Sequence, residues 1–164
     1  LAAVAAAGAV IERHPEAKDE TDLELALAAA VERGARHIHV LGGHGGRLDH
    51  LLANALLLAA PKYASVEVVA QMGDARVTVA RGDTRIAGSP GDLVTLLSLH
   101  GMATGVTTVG LLYPLFDEDL LPGSTRGVSN ELLGAHGEVS VRNGVVIVVQ
   151  PGQSGTHLQR TTTR

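Results

Sequence analysis

The sequence contains no cysteine and no tryptophan, and its aromatic residues are two tyrosines and one phenylalanine in 164 residues. The lack of cysteine excludes a disulfide scaffold, a thiolate zinc site and a cysteine nucleophile. It is consistent with a cytoplasmic protein, which is the location that we expect. Because aromatic rings are so few, alanine, valine, leucine and glycine must form most of the core.

The chain also lacks a cluster of basic residues and a long hydrophobic run. Its formal net charge is −4, which argues against non-specific binding to nucleic acid. The apolar start, "LAAVAAAGAVIER", is too short to span a membrane and has no positively charged region typical of a signal peptide. We therefore expect neither a nucleic acid nor a membrane as a partner.

The first half of the chain has alternating helix-like and strand-like segments, which is typical of an α/β domain with parallel strands. Thr21 and Glu24 have the spacing of a helix capping box, and Gly34 suits the position after a helix end. The helices that we expect cover residues 1–7, 22–33 and 48–59. The strands that we expect cover residues 9–13, 37–41 and 66–71.

After Gly73 the pattern changes to short β-prone runs that are separated by glycine, proline and aspartate. Asn143 and Gly144 lie between two valine-rich runs, which predicts a type I′ hairpin turn. This half is typical of a small antiparallel β-sandwich or barrel. We therefore expect an α/β domain with a parallel sheet over residues 1–73, a β-sandwich domain over residues 74–151 and a disordered tail over residues 152–164.

Carboxylates stand at two junctions where a helix is expected to begin. Asp19 and Asp22 flank Thr21, and Asp49 follows the next strand. One interpretation is helix capping, since carboxylates are stabilising at a helix N-terminus. The other is a ligand site, since such junctions meet at the carboxyl edge of a parallel sheet. There the carboxylates would surround a hard cation such as Mg²⁺, which also takes water and phosphate oxygens.

A glycine-rich turn, "LGGHGGRLDH", joins a predicted strand to a predicted helix. It has neither the lysine of a P-loop nor the third glycine of a dinucleotide-binding turn. Its backbone amides still suit an anion, and Arg47 adds a planar fork for phosphate oxygens. The alternative is a tight connection in which Arg47 pairs with Asp49. His50 flanks the turn and is a further candidate for phosphate contact, whereas His37 and His39 favour a structural role.

Four motifs in this order resemble the thiamine pyrophosphokinase (thiamine diphosphokinase) family: "KDETDLELAL", "GGRLDHLLAN", "GVTTVGLLYPL" and "GVSNE". The resemblance runs from about residue 14 to residue 150. It implies transfer of a pyrophosphoryl group from ATP to thiamine, which gives thiamine diphosphate and AMP. It also implies Mg²⁺ as cofactor and a homodimer with active sites shared between subunits. By this resemblance the first domain is an ATP-binding catalytic domain and the second binds thiamine.

The resemblance also assigns roles to residues at matching motif positions. Those expected to be catalytic are Asp19, Asp22, Arg47 and Asp49, of which Asp19, Asp22 and Asp49 are expected to hold the metal. Those expected to bind the nucleotide are Lys18, Thr21, Gly45, Gly46, Arg47 and His50. Those expected to bind thiamine are Tyr113, Ser129 and Asn130. The competing interpretations are a core aromatic for Tyr113 and a β-turn for the other two.

One departure from the family pattern lies at the start. Family members carry an opening strand and a "GDxDS"-like acidic motif upstream of the first helix, and this sequence begins after both, so we expect the first domain to be incomplete at its N-terminus. Two alternatives to the enzyme stay open. One is a catalytically inactive nucleotide- or thiamine-binding relative of the same fold. The other is a purely structural dimerisation protein, which would leave the coincidence of the acidic and glycine motifs unexplained.

Overall fold

The computed structural model describes residues 5–8, 10–15 and 19–152. Its elements in chain order are α1 (Asp22–Glu32), β1 (His37–Leu41), α2 (Leu48–Leu58), a 3-10 turn (Pro61–Tyr63), β2 (Glu67–Met72), β3 (Ala75–Ala87), β4 (Leu93–Ser98), β5 (Ala103–Val109), β6 (Glu118–Leu120), β7 (Asn130–Glu131) and β8 (His136–Gln150). No helix in these ranges is long and apolar enough to cross a membrane.

Some expectations concern residues outside the described ranges. Lys18 and residues 153–164 of the expected tail lie outside them, and of the expected first helix only residues 5–7 are described, of which 5 and 6 are helical. The expected strand over residues 9–13 is wrong for residues 10–13, which have no regular secondary structure. An isolated strand cannot satisfy its backbone hydrogen bonds. Glu12 in this segment instead pairs with Arg33, just beyond the end of α1.

Helix α1 begins where the sequence predicts. The Thr21 hydroxyl oxygen accepts a hydrogen bond from the backbone N–H of Glu24 at 3.2 Å, which satisfies one of the free amides of the first turn. The Glu24 carboxylate pairs with Lys62 in the 3-10 turn that follows α2. Gly34 follows the helix end with a φ of +82°, a left-handed conformation that glycine adopts without strain. Thus α1 is capped at both ends by residues with fitting chemistry.

The strands form one continuous mixed sheet in the order β1-β2-β3-β8-β4-β7, and β5 joins β6 to β8 beside it. Strands β1 and β2 are parallel and are connected through α2, as expected of an α/β unit. They are the one parallel pair among the described strands. After a turn at Gly73 and Asp74, β3 runs antiparallel to β2. The expected parallel sheet is therefore reduced to this pair, and the sheet continues into the β half.

Two hydrophobic cores lie on opposite faces of the shared strands. The helix-side core includes Leu27, Leu58, Tyr63, Val68, Ala70, Val77, Val79, Val145 and Ile147. The β-side core includes Ala80, Ile86, Val94, Leu96, Val106, Leu115, Leu132, Val139, Val146 and Val148. Because successive side chains on a strand point to opposite faces, β8 supplies Val145 and Ile147 to the first core and Val146 and Val148 to the second.

The hairpin expected at Asn143 and Gly144 is wrong, since β8 runs through both residues. A type I′ turn needs positive φ at both central residues, and here only Gly144 has it, with a φ of +91°. The two residues lie instead in an irregular stretch of the β3·β8 pairing. A Cβ at Gly144 would lie 2.8 Å from the carbonyl oxygen of Met102, so glycine permits a close approach to the chain that enters β5.

Candidate active site

The glycine-rich turn follows the end of β1 and is held from two sides. The backbone N–H of Gly42 donates to the carbonyl oxygen of Gln71 at 2.9 Å, which ties the turn to β2. The side-chain amide of Asn54, in the second turn of α2, donates to the carbonyl oxygen of Gly43 at 2.8 Å. Gly42 and Gly43 have φ values of +99° and +81°, which side chains with a Cβ rarely adopt. The turn is thus a defined loop at the sheet edge.

Arg47 and Asp49 form a two-bond ion pair at the start of α2. The Arg47 Nε donates to Asp49 Oδ1 at 3.1 Å, and Arg47 Nη2 donates to Asp49 Oδ2 at 2.5 Å. The side chains are 69% and 63% exposed. The hydrogen bonds from Arg47, assisted by the backbone amide of His50, lower the pKa of Asp49 from 3.8 to about 2. In return, the Asp49 carboxylate raises the pKa of Arg47.

This ion pair is the tight connection that the sequence offered as an alternative. It is compatible with the other interpretation, in which Arg47 contacts phosphate oxygens. A guanidinium has five N–H donors, and the contact with Asp49 uses two of them. The guanidinium lies on an exposed surface with Gly45, Gly46 and His50, which are all exposed. The arrangement therefore offers a fixed cation and backbone amides to an anion, while Asp49 fixes the orientation of the guanidinium.

The carboxylates of the first motif lie at the other helix start. Asp19 and Asp22 are exposed, and Thr21 between them is the N-cap of α1. Asp22 lines a shallow groove of about 240 Å³ with Glu12 and His14. Within the described residues, no three histidine, aspartate or glutamate side chains converge in a way that could hold a metal ion. Asp19, Asp22 and Asp49 therefore do not form a three-carboxylate site among themselves.

The donor chemistry still fits Mg²⁺. This ion binds through hard oxygen ligands, commonly takes only one or two carboxylates from the protein, and fills its other positions with water and substrate phosphate oxygens. Asp19 and Asp22 offer two carboxylates on one short segment. Asp49 offers a third, which is ionised at neutral pH because its pKa lies near 2. The metal assignment of these three residues stays a prediction.

The residues expected to bind thiamine lie together in the β half. Tyr113 is 56% exposed, which excludes the core role that was its alternative. Asn130 is 2% exposed, and its side-chain oxygen accepts hydrogen bonds from the backbone N–H of Tyr113 and of Glu131, both at 2.9 Å. Its side-chain nitrogen donates to the carbonyl oxygen of Tyr113 at 2.7 Å. Ser129 is exposed, ends a turn with a φ of +58°, and donates its backbone N–H to Thr95 Oγ1 at 3.2 Å.

Two residues near these sites were not predicted from the sequence. Asn54 ends the motif "GGRLDHLLAN" but received no role, although a polar residue inside the apolar run "LLANALLL" is a signal for a specific hydrogen bond. Phe116 also received no role, yet it is 73% exposed near Tyr113 in sequence. The signal in the sequence was its position three residues after Tyr113 in a chain with only three Phe, Tyr and Trp residues.

Comparison with known proteins covers both halves of the chain in order. Residues 1–70 match the family profile described as "Thiamin pyrophosphokinase, catalytic domain", and residues 83–146 match "Thiamin pyrophosphokinase, vitamin B1 binding domain". The chain belongs to the thiamine pyrophosphokinase family. The segment that matches the first profile includes the glycine turn with Arg47 and Asp49. The segment that matches the second includes Tyr113, Ser129 and Asn130.

Individual members of the thiamine pyrophosphokinase family support this assignment. Thiamine pyrophosphokinase from Bacillus subtilis (strain 168) is 28% identical over 141 residues, which cover 81% of this chain and 63% of the relative. A crystal structure of the Bacillus subtilis protein superimposes with a TM-score of 0.74, covering 83% of this chain and 65% of the other at 28% identity. The protein from Geobacillus thermodenitrificans gives 0.72 and 33% identity, covering 86% and 66%. The chain thus spans less than two thirds of the length of these relatives.

A larger cavity shares none of its lining residues with either candidate site. It measures about 500 Å³ and is lined by the start of β2 and by residues along β3, including Arg76, Arg81 and Arg85. No residue of the glycine turn lines this cavity, although Arg76 pairs with Gln71, whose carbonyl oxygen accepts a hydrogen bond from Gly42 of the turn. We assign the candidate active site to the turn rather than to this cavity, because the motif "GGRLDHLLAN" within the matched catalytic-domain region begins at the turn.

Proposed function

We propose that this protein transfers the pyrophosphoryl group of ATP to the hydroxyl group of thiamine, giving thiamine diphosphate and AMP. The observation that carries the proposal is the ordered match of a catalytic and a vitamin-binding domain on one chain, with an arginine–aspartate fork at the glycine turn. The hydroxyl oxygen of thiamine attacks the β-phosphorus. The bond between this phosphorus and the oxygen that bridges it to the α-phosphorus breaks, that oxygen leaves with AMP, and the proton of the thiamine hydroxyl is released to water.

The nucleotide half of the proposal rests on the glycine turn. Arg47 would contact the polyphosphate through the guanidinium hydrogens that Asp49 does not use, and the amides of Gly45 and Gly46 would add uncharged donors. His50 would contribute from the first turn of α2. Thr21 would act from the start of α1, and Lys18 precedes it by three residues in the sequence. The Thr21 hydroxyl oxygen already accepts the capping hydrogen bond, so its own hydrogen is available to a phosphate oxygen.

Asp49 is better suited to orient than to remove a proton. A general base works best when its pKa lies near the working pH, and the Asp49 pKa is near 2 while Arg47 is paired with it. Phosphoryl-type transfer depends mainly on positioning and charge neutralisation, so this role is sufficient. One or two carboxylates from the set Asp19, Asp22 and Asp49 would hold Mg²⁺, with water and phosphate oxygens in its other positions, and the ion would neutralise polyphosphate charge when it is bound.

The test of this function is thiamine-dependent release of AMP from ATP and Mg²⁺ by the complete gene product that contains this chain. We expect Asp49→Asn to lower kcat/KM about a hundredfold or more, because it removes the charge that fixes Arg47. Asp83→Asn is the matched control, since Asp83 is an exposed aspartate on β3 outside the candidate site. Absence of thiamine-dependent AMP release by the unmodified protein would contradict the function. Full activity of Asp49→Asn would contradict the assigned site alone.

The proposal includes a cytoplasmic homodimer with shared active sites. The dimer is supported by the exposed apolar side chains of the β half, among them Val109, Leu112, Phe116 and Leu133. If each site combines the turn of one subunit with the β half of its partner, mixing Asp49→Asn with Tyr113→Ala protomers restores roughly a quarter of the sites. No recovery after demonstrated subunit exchange would place both residues in one subunit's site.

A further inference from the structure

Two segments of the β half, residues 110–112 and 131–133, pair through their backbones next to Asn130. The backbone N–H of Leu112 donates to the carbonyl oxygen of Glu131, and the N–H of Leu133 donates to that of Gly110, both at 2.9 Å. These contacts pair residues 110–112 with residues 131–133 in the manner of antiparallel strands, and Leu111 forms a β-bridge to Leu132. The backbone pairing ends at Leu112.

The Asn130 side chain continues this pairing by one residue. Its oxygen accepts from the Tyr113 N–H at 2.9 Å and its nitrogen donates to the Tyr113 carbonyl oxygen at 2.7 Å. A carboxamide is the side-chain group that offers a donor and an acceptor on one plane, as a peptide unit does. The amide oxygen also accepts from the Glu131 N–H, and the residue is 2% exposed. All three of these hydrogen bonds of the Asn130 carboxamide are to backbone groups.

The residue that Asn130 holds presents one of the few exposed aromatic rings. Of the three tyrosine and phenylalanine residues in the sequence, Tyr63 is buried in the helix-side core, whereas Tyr113 and Phe116 are 56% and 73% exposed. Thiamine contains two aromatic rings, for which an exposed phenol ring is a suitable stacking partner. The direction of the Tyr113 ring depends on the backbone of residue 113. The Asn130 side chain forms hydrogen bonds with both the N–H and the carbonyl oxygen of that residue.

We propose that Asn130 is a positioning residue for thiamine, which acts by holding the Tyr113 backbone rather than by contacting the ligand with its amide. This inference rests on the proposed function and changes the role that the family motif gives to Asn130. Loss of the amide would misplace the Tyr113 ring and weaken the stacking surface. The nucleotide site at the glycine turn lies on another element and would be unaffected.

The kinetic test is a double-mutant cycle on the complete gene product with Asn130→Asp, Tyr113→Ala and the combined variant. Aspartate keeps the acceptor for the Tyr113 N–H but, when ionised, loses the donor to the carbonyl oxygen. We expect Asn130→Asp to raise the KM for thiamine about tenfold and the KM for ATP less than about twofold. With the ring already removed by Tyr113→Ala, the same change should add less than about twofold. An equal rise in KM in both backgrounds would overturn the proposal.

A second measurement does not depend on activity. Hydrogen exchange at the Tyr113 backbone amide should become about tenfold faster in Asn130→Ala, which removes the acceptor. The matched control is Asn143→Ala, which removes an exposed asparagine side chain on β8. Unchanged protection in Asn130→Ala would overturn the proposal. If the unmodified protein releases no thiamine-dependent AMP, the proposed function fails, and exchange still decides the Asn130–Tyr113 contact. If Asn130→Ala does not fold, the kinetic cycle decides.

Discussion

At the scale of single residues, the candidate site consists of short-range contacts between neighbours in sequence. Arg47 and Asp49 are two residues apart, and Thr21 caps the helix through Glu24, three residues later. Such contacts follow from local spacing: the sequence predicted the Thr21 cap and offered the Arg47–Asp49 pair as one of two interpretations of the turn. The contact between Asn54 and Gly43 spans eleven residues, and its role was missed because the path of the glycine turn was unknown.

We predict that Asp49 titrates with a pKa of about 2 in the folded protein. The measurement is the carboxyl chemical shift of Asp49 by NMR as a function of pH. The physical cause is the charged fork of Arg47, so Arg47→Gln should return the pKa toward its ordinary value of 3.8.

The sign of the linked pH effect follows from this lowered pKa. The folded state holds the proton less tightly than the unfolded state does, so the pair stabilises the protein above the unfolded pKa near 4, and this contribution disappears as the pH falls toward 2. Arg33→Gln, which breaks a different exposed ion pair, is the control and should leave the Asp49 titration unchanged. A pKa near 4 in the unmodified protein would show that the fork does not persist in solution.

At the scale of elements, helix ends were predicted better than strand partners. Helix α1 starts and stops at residues whose chemistry acts locally, whereas Asn143 and Gly144 gave a hairpin signal that the structure does not follow. Strand β8 continues through both residues because β5 pairs with Asn143, and β3 pairs with β8 up to Val141 and again from Val146. The local preference of an asparagine–glycine pair is too weak to compete with hydrogen bonds along a strand of 15 residues.

We predict that Gly144→Ala destabilises the fold by about 2 to 4 kcal/mol, as measured by urea unfolding. The substitution combines an unfavourable positive φ with a Cβ placed 2.8 Å from the Met102 carbonyl oxygen. Gly101→Ala is the matched control, because Gly101 has a φ of +88° and a Cβ there would meet no heavy atom within 4 Å. The control should lose only about 1 kcal/mol. Equal losses in both variants would show that close approach is not the reason for glycine at position 144.

At the scale of the whole molecule, one sheet carries both cores. The sequence suggested two domains with a boundary near Gly73, and each half does have its own hydrophobic cluster. Strands β3 and β8 nevertheless contribute side chains to both clusters. If one core loses its structure, β3 and β8 lose packing contacts on one face. The other core is then destabilised, because it is built on the same two strands.

We predict that the two halves unfold in one cooperative transition. The chain has two tyrosines and no tryptophan, so Tyr113→Phe leaves Tyr63 as the fluorescent reporter of the helix side, and Tyr63→Phe leaves Tyr113 as the reporter of the β side. The two urea curves should share one midpoint once each is corrected for the stability of its own variant.

Core substitutions provide the control for this prediction. Ile147→Ala in the helix-side core and Leu96→Ala in the β-side core should each lower stability by about 2 to 5 kcal/mol and shift the curves of both reporters together. If Leu96→Ala moves only the Tyr113 curve, the halves are independent domains despite the shared strands.

The sequence by itself determined the family motifs, the helix that begins after Thr21 and the change from α/β to β at Gly73, and it offered the Arg47–Asp49 pair as one of two interpretations of the turn. Each of these depends on residues that are close in the chain, where spacing and side-chain chemistry decide the outcome. Only the tertiary structure decided that β3 and β8 run through both halves, that Asn143 and Gly144 lie within a strand, and that the Asn130 amide is bound to the Tyr113 backbone. These features depend on which distant segments pair, and pairing is set by the burial and hydrogen bonding of the whole sheet rather than by local preference.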